Sequence, residues 1–379
     1  MTFLGIYRCP DVTTRVVDLT VESTSVEKKL HLKRGIYTMY QVICLTLLWF
    51  QVGRYIVDLF IVKPFISKSL LYRMSILCFA LQTAVDGTVM FRMFKYKDRF
   101  HSFLTQWIEI SKQAASLGSN QEQLLYRLKR THRVVIVVLC LVHIGTSAGF
   151  LVSVQNRNEL VQAAVGPFGD SPLSVGLTAT LWCYNAGVWV SLAPFFAIVT
   201  KCLAFQYGSL TGKIKELVNS STRFPVKIHI YRRLRMDLCD MVDLLNPDFK
   251  YVVATSYLLS IIVLLCIGYS VTKTAVVDVY LITMISIIAI LSIHRLVALS
   301  VIAANLHEQV HKPLPYLYRI RGDQATIKDM LEVNLFIAKL QESSVGITAM
   351  DILVIKKGTI LTLFGVYLTY FFVVIQFSV

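Results

Sequence analysis

The 379 residues predict an all-α, polytopic membrane protein with seven transmembrane helices, a cytoplasmic N-terminus and an extracellular C-terminus. Three observations carry that expectation. The chain is 55% hydrophobic and only 16% charged, whereas a soluble domain has about a quarter charged residues. Apolar runs recur at the length of about 20 residues that a roughly 30 Å hydrocarbon core demands of a helix. Lysine and arginine are confined to alternate loops. Disorder is excluded by 21 Phe and 18 Tyr, and a disulfide-rich scaffold by only eight Cys in so long a chain.

Residues 1–34 read as a polar tail without the apolar core of a signal peptide, so none is expected. The spans then fall at 37–61, 69–92, 134–154, 177–205, 251–271, 278–302 and 358–379. They must be helices, because backbone polar groups inside a bilayer need partners within the segment. The second span carries Arg73 and Asp86. The fourth is long and contains Pro194, which predicts a kink or a tilt.

The net charge of +15 follows the same division. Thirty Lys/Arg lie in the N-terminal tail and in the 92–133, 206–250 and 303–357 regions, against only Lys63, Lys68, Arg157 and Lys273 in the alternate loops. The positive-inside rule therefore places the tail in the cytoplasm. The excess charge faces anionic inner-leaflet lipid and implies no nucleic-acid partner. An odd number of helices puts the C-terminus outside. That orientation is the reverse of a G-protein-coupled receptor, and the chain ends at Val379 with no cytoplasmic tail. Two receptor-like fragments are chance matches. Asp98-Arg99-Phe100 follows the second span rather than the third, and Asn246-Pro247 with Tyr251 precedes the fifth rather than ending the seventh.

The eight cysteines have neither CxxC nor metal-ligand spacing and read as small buried hydrophobes. The sequon Asn219-Ser220-Ser221 falls on the predicted cytoplasmic side, where no glycosylation is expected. No phosphate-binding glycine loop, nucleophile triad or paired-carboxylate signature occurs, so neither an enzyme nor a cofactor is expected. Much of the predicted cytoplasmic material is helical in pattern, including Phe100–Ile110, Gln121–Val134 and residues 324–341. In the last of these Ile327, Met330/Leu331, Asn334/Leu335 and Ala338 share one face. Such helices either extend the spans into water or form a cytoplasmic domain where subunits meet.

Ionisable groups at membrane depth usually face the protein interior. Arg54, Asp58 and Arg73 gather near the outer ends of the first two spans and suit an interfacial salt-bridge cluster. Asp86 and Arg295 lie at similar depth in the second and sixth spans and are candidates for an ion pair, unless Arg295 snorkels inward. In the fourth span Trp182, Asn185 and Trp189 fall within about 60° on a helical wheel, a candidate ligand-binding face. Tyr269 and Tyr280, at the outer ends of the fifth and sixth spans, could complete it. An aromatic belt at the membrane interface is the alternative.

In the last span Thr362, Val366, Thr369, Val373 and Gln376 fall within about 80° of one another, with Phe364, Tyr367, Phe371 and Ile375 opposite. Threonines can bond their own helix, but a glutamine amide in hydrocarbon calls for polar neighbours or water. The stripe suits the wall of a pore, and a pore built from one helix per chain needs several subunits in a ring. No acidic ring is present, so strong calcium selectivity is not expected.

Thr369-Tyr370, five apolar residues and Gln376-Phe377 resemble the TYhhhhhQF signature that closes insect gustatory receptors. Helix number, predicted orientation and the short ending are similar too. The resemblance implies a homotetrameric or heterotetrameric ligand-gated cation channel of the plasma membrane of sensory neurons, opened by a small-molecule tastant. It implies a division into a tail (1–34), helices 1–6 with an outward-opening ligand region (35–302), cytoplasmic anchor helices (303–357) and a pore-lining helix (358–379). Tyr370 and Phe377 join the stripe as pore or gate candidates, with Gln376 and Phe377 at the gate. A seven-helix receptor of the G-protein-coupled type and a secondary transporter are the competing classes. Orientation weighs against the first, and the lack of repeated halves with broken helices against the second.

Overall fold

A computed structural model describes residues 23–61, 68–95, 97–116, 171–220, 228–272, 279–320, 326–342 and 345–376, with isolated positions between 130 and 148. In chain order its helices are α1 (Ser23–Ile61), α2 (Lys68–Lys95), α3 (Lys97–Ser116), α4 (Pro172–Ser220), α5 (Ile228–Thr272), α6 (Val279–His311), α7 (Leu314–Leu317), α8 (Ile327–Glu342) and α9 (Lys357–Gln376). A two-stranded hairpin, β1 (Thr348–Ala349) and β2 (Leu353–Val354), precedes α9. Apart from those isolated positions, the predicted third span and the 121–134 helix lie outside the described residues.

Five of these helices, α1, α2, α4, α5 and α6, are long and apolar enough to cross a membrane, and α9 contains a shorter apolar helix. The 49 residues of α4 extend to about 73 Å at 1.5 Å per residue, more than twice the hydrocarbon thickness. The same holds for the 45 residues of α5. α4 runs past the predicted end at 205 and α5 starts well before 251, while the predicted helices 100–110 and 324–341 form the separate helices α3 and α8. Pro194 sits within a helix that continues through it. Proline deprives the Val190 carbonyl of its usual donor. One residue earlier, the Trp189 carbonyl accepts a hydrogen bond from Arg295 Nη1 at 3.0 Å.

The core has two levels. Below the apolar runs, Tyr207, Leu238, Met241, Phe249, Phe336, Leu340, Ile347 and Ile355 are buried where α4, α5, α8 and the hairpin meet. Phe196 packs edge-on against Phe249 at 4.8 Å, and Phe94, Phe100 and Phe195 extend the aromatic cluster to α2 and α3. The upper level lies between α2, α4, α5 and α6, where the candidate site is found.

In α8 the residues packed inside are Val333, Phe336 and Leu340, whereas Ile327, Leu331 and Leu335 of the predicted apolar face are 91%, 58% and 43% exposed. Both faces of this helix are apolar, and a wheel does not say which one the chain itself covers. The hairpin, with strands of two residues each, is too short to show an alternating pattern in the sequence. It turns through Met350 and Asp351, both at positive φ (51° and 61°), as a tight hairpin turn of type I′ requires. Asn246 Oδ1 on α5 accepts from Thr348 N at 2.9 Å, and Lys250 pairs with Asp351, so α5 holds the hairpin at two points. The Asn246-Pro247 fragment thus has a structural use unrelated to receptor motifs.

Candidate functional site: an aromatic cavity and an open helix face

Between α2, α4, α5 and α6 lies a cavity of about 60 Å³. α2 contributes Tyr72, Ser75, Ile76, Phe79 and Gln82; α4 contributes Trp182, Ala186, Trp189 and Val190. Val263 and Ile267 of α5 and Ile288, Leu291 and Ser292 of α6 close it. The Phe79 ring stands 5.2 Å from Trp182 and 5.8 Å from Trp189, so three aromatic faces meet on one wall.

A polar network underlies that wall. Trp189 Nε1 donates to Gln82 Oε1 at 3.1 Å, and Gln82 Nε2 donates to Ser256 Oγ at 3.2 Å. Arg295 Nε donates to the same Ser256 oxygen at 3.2 Å, and Arg295 Nη2 to Asp86 Oδ2 at 2.6 Å. The guanidinium also lies 5.3 Å from the Trp189 ring centroid. Arg295 therefore ties α6 to α2, α4 and α5 from a fully desolvated position, where such a charge is tolerated only with partners. Gln82 has both ends of its amide engaged and Ser75 donates to the Leu71 carbonyl at 2.9 Å. What this cavity offers a guest is mainly aromatic and aliphatic surface.

The expected pocket residues separate. Trp182 and Trp189 line the cavity. Asn185 is buried but turns towards α1, where its amide donates to Gln51. Tyr269 is half-buried and is not among the lining residues. The Tyr280 side chain lies outside the described ones. Tyr72, Phe79 and Gln82 were missed by sequence reasoning. Gln82 sits one turn before Asp86, and that polar i,i+4 pair in an apolar span was the available signal. Nearer the ends of these helices Asp58 pairs with Arg73, and Arg54 Nη1 donates to Thr178 Oγ1 at 3.2 Å.

α9 packs against α5 and α6, with Leu363 against the buried core and Phe371 on α5. The Phe371 ring seats on Gly268 of α5 so closely that a Cβ there would lie 2.6 Å from Phe371 Cε2. Thr362, Val366, Thr369, Tyr370, Val373 and Gln376 are all exposed. Thr362 and Thr369 donate to the carbonyls of Gly358 and Gly365, at 3.2 and 2.9 Å, one turn back on their own helix. Phe364, expected opposite the stripe, is exposed as well. Phe377 lies outside the described residues.

A family model for 7tm chemosensory receptors matches residues 1–379, the whole chain. The chain belongs to the 7tm chemosensory receptor family. That family takes in insect odorant and gustatory receptors and is not an enzyme family. No curated protein matches the sequence of this chemosensory receptor. Among solved structures, the insect olfactory receptor OR5 from Machilis hrabei in complex with eugenol is similar in fold, with TM-score 0.73 and 13% identity over 95% of this chain and 93% of that one. The same receptor from Machilis hrabei in a second structure aligns with TM-score 0.72 and 14% identity over 99% and 97%. At such identity the likeness is one of fold. It extends along almost the whole receptor, so the nearly all-helical, multi-pass membrane architecture is that of the insect seven-helix receptors.

Proposed function

We propose that this receptor is a gustatory receptor acting as a tastant-gated, non-selective cation channel in the plasma membrane of sensory neurons. The observation that carries the reading is the open face of α9. Its small polar residues, Thr362, Thr369 and Gln376, are exposed while Phe371 seats the helix on Gly268 of α5. A polar stripe at that position suits a pore shared with other subunits, and closed rings are the usual form of such sharing. The exposed Ile327, Leu331 and Leu335 of α8 are apolar surface suited to contact between subunits of a homotetramer or heterotetramer. The cytoplasmic N-terminus expected from the charge distribution puts α8 inside the cell and the cavity nearer the outside.

The aromatic cavity narrows the ligand. A sugar would bury many hydroxyls against Phe79, Trp182, Trp189 and Ile267, and each one left unpaired costs about 1–3 kcal/mol. A small, uncharged, largely apolar or aromatic molecule avoids that cost. OR5 bound eugenol in its own structure, a molecule of this general kind. The test is ligand-evoked current from the chain expressed alone and with related receptors. Cation current without G-protein activity, altered by Gln376→Ala, is expected. Current indifferent to every substitution along the α9 stripe would refute the pore.

A further inference from the structure

We propose that the corner between α2, α3 and α5 binds the phosphate of an anionic membrane-lipid headgroup. The proposal stands on the fold and on this corner, whether or not the receptor conducts ions. Arg92 of α2 and Arg99 of α3 converge on one carboxylate, Asp248 of α5, at 3.3 Å from Nε and 3.5 Å from Nη1. The carboxylate side chain is 2% exposed, but the two arginines remain 43% and 40% exposed. Asp248 therefore fixes the guanidiniums in place and leaves much of each open to the outside.

Donors are in surplus here. Two guanidiniums carry ten N–H groups between them, against the roughly four lone-pair sites of one carboxylate. Asp248 holds both guanidiniums by charge, through contacts at 3.3 and 3.5 Å in which Arg99 Nη1 and Asp248 Oδ1 complete no well-formed hydrogen bond. The N–H groups on the exposed sides of the two arginines are left for a further acceptor. Lys95 adds an exposed ammonium 4.8 Å from the Phe91 ring centroid, and Lys250 is already paired with Asp351. Among the described residues the corner thus holds four cations against two carboxylates. A phosphate supplies the missing acceptors and charge, and planar arginine forks match its geometry.

The position selects a lipid as the source. Arg92 ends the second apolar run and Asp248 and Lys250 stand just before the fifth, so the corner lies at the level where the membrane's apolar layer stops. By the charge distribution this is the inner leaflet, where anionic lipids concentrate. Arg99 belongs to the Asp98-Arg99-Phe100 fragment, and Asp248 follows Asn246-Pro247. Both fragments are chance matches as receptor motifs, yet the fold brings them together here.

The test uses the full-length receptor, delipidated in uncharged detergent and analysed by native mass spectrometry. The probes are short-chain phosphatidylserine, phosphatidylinositol 4-phosphate and phosphatidylcholine, with inorganic phosphate as competitor. Retention of the two anionic lipids over phosphatidylcholine is expected, with about five-fold weaker retention for Arg92→Gln or Arg99→Gln. Thermal melting without lipid checks that each variant is folded. If Arg99→Gln is not, Arg99→Lys keeps a charge opposite Asp248 but loses the fork, and a smaller loss is expected. Equal retention by wild type and folded variants overturns the site. Displacement by inorganic phosphate, with no preference for anionic lipid, overturns the lipid as its source.

Discussion

Arg295 of α6 and Asp86 of α2 form an ion pair at 2.6 Å, with side chains 2% and 0% exposed, immediately beneath the aromatic wall of the cavity. The two residues are 209 positions apart in the chain, and the pair joins helices that share no loop. Arg295 adds Ser256 and the Trp189 carbonyl, so one guanidinium fixes the mutual position of four helices.

Breaking that pair from one side should be costly. Asp86→Ala leaves a desolvated guanidinium uncompensated, a loss of about 3–5 kcal/mol. Asp86→Leu with Arg295→Met removes both charges and should recover most of it, although Ser256 and Trp189 lose a donor. Surface expression and melting in detergent of the single and double variants measure this. A double variant no better than either single one would mean that the pair contributes nothing as a pair.

Trp189→Phe keeps an aromatic face on the cavity and removes the indole N–H that Gln82 accepts. Leaving a buried amide oxygen unpaired costs about 1–3 kcal/mol. Ligand-evoked responses should weaken while surface expression falls only moderately. Ile267→Ala instead enlarges the cavity of about 60 Å³ and should extend responses to bulkier apolar compounds, read as a shift in ligand size preference.

Gly268→Ala places a methyl group 2.6 Å from Phe371 Cε2, so either the ring or α9 must move. Overpacking of this kind costs about 1–3 kcal/mol. The expected result is an altered ligand-independent current, and Phe371→Leu in the same chain should return it towards wild type. Unchanged current in well-expressed Gly268→Ala would mean that α9 yields at this contact without consequence for the pore.

His307 lies beyond the sixth predicted span, and burial, followed by the nearby His311 and Lys356, pushes its imidazole down to about 4. Its ring packs beside Gly346 at the start of the hairpin segment, and the His311 ring is 4.6 Å away. An unfolded histidine takes up its proton near pH 6.5, whereas the folded one resists to about 4. The stabilisation is therefore complete above about pH 6.5 and is lost as pH falls towards 4. Melting in detergent across that range should show the decline, and His307→Gln should flatten part of it.

How much of this was legible in the sequence differs from element to element. Hydropathy alone located the apolar runs that become α1, α2, α4, α5, α6 and α9, because the bilayer's requirement for about 20 apolar helical residues is local. Equal depth matched Asp86 with Arg295, since rise per residue is fixed. A wheel placed Trp182, Asn185 and Trp189 on one face, yet Asn185 turns to Gln51 on α1 while the two tryptophans line the cavity. The arc of about 60° that joins them also contains the boundary between two neighbouring helices.

The sequence by itself determined the family, the apolar spans and the polar stripe of the last helix, all of which depend on periodicity within one segment. Tertiary structure decided which side of each helix met the protein. It covered Val333, Phe336 and Leu340 of α8 instead of Ile327, Leu331 and Leu335, and chose Phe79 and Gln82 as partners for Trp182 and Trp189. It also brought Arg92 and Arg99 to Asp248. An amphipathic period states that a helix has sides. The neighbour on each side is set by the packing of the whole bundle, which no single segment encodes.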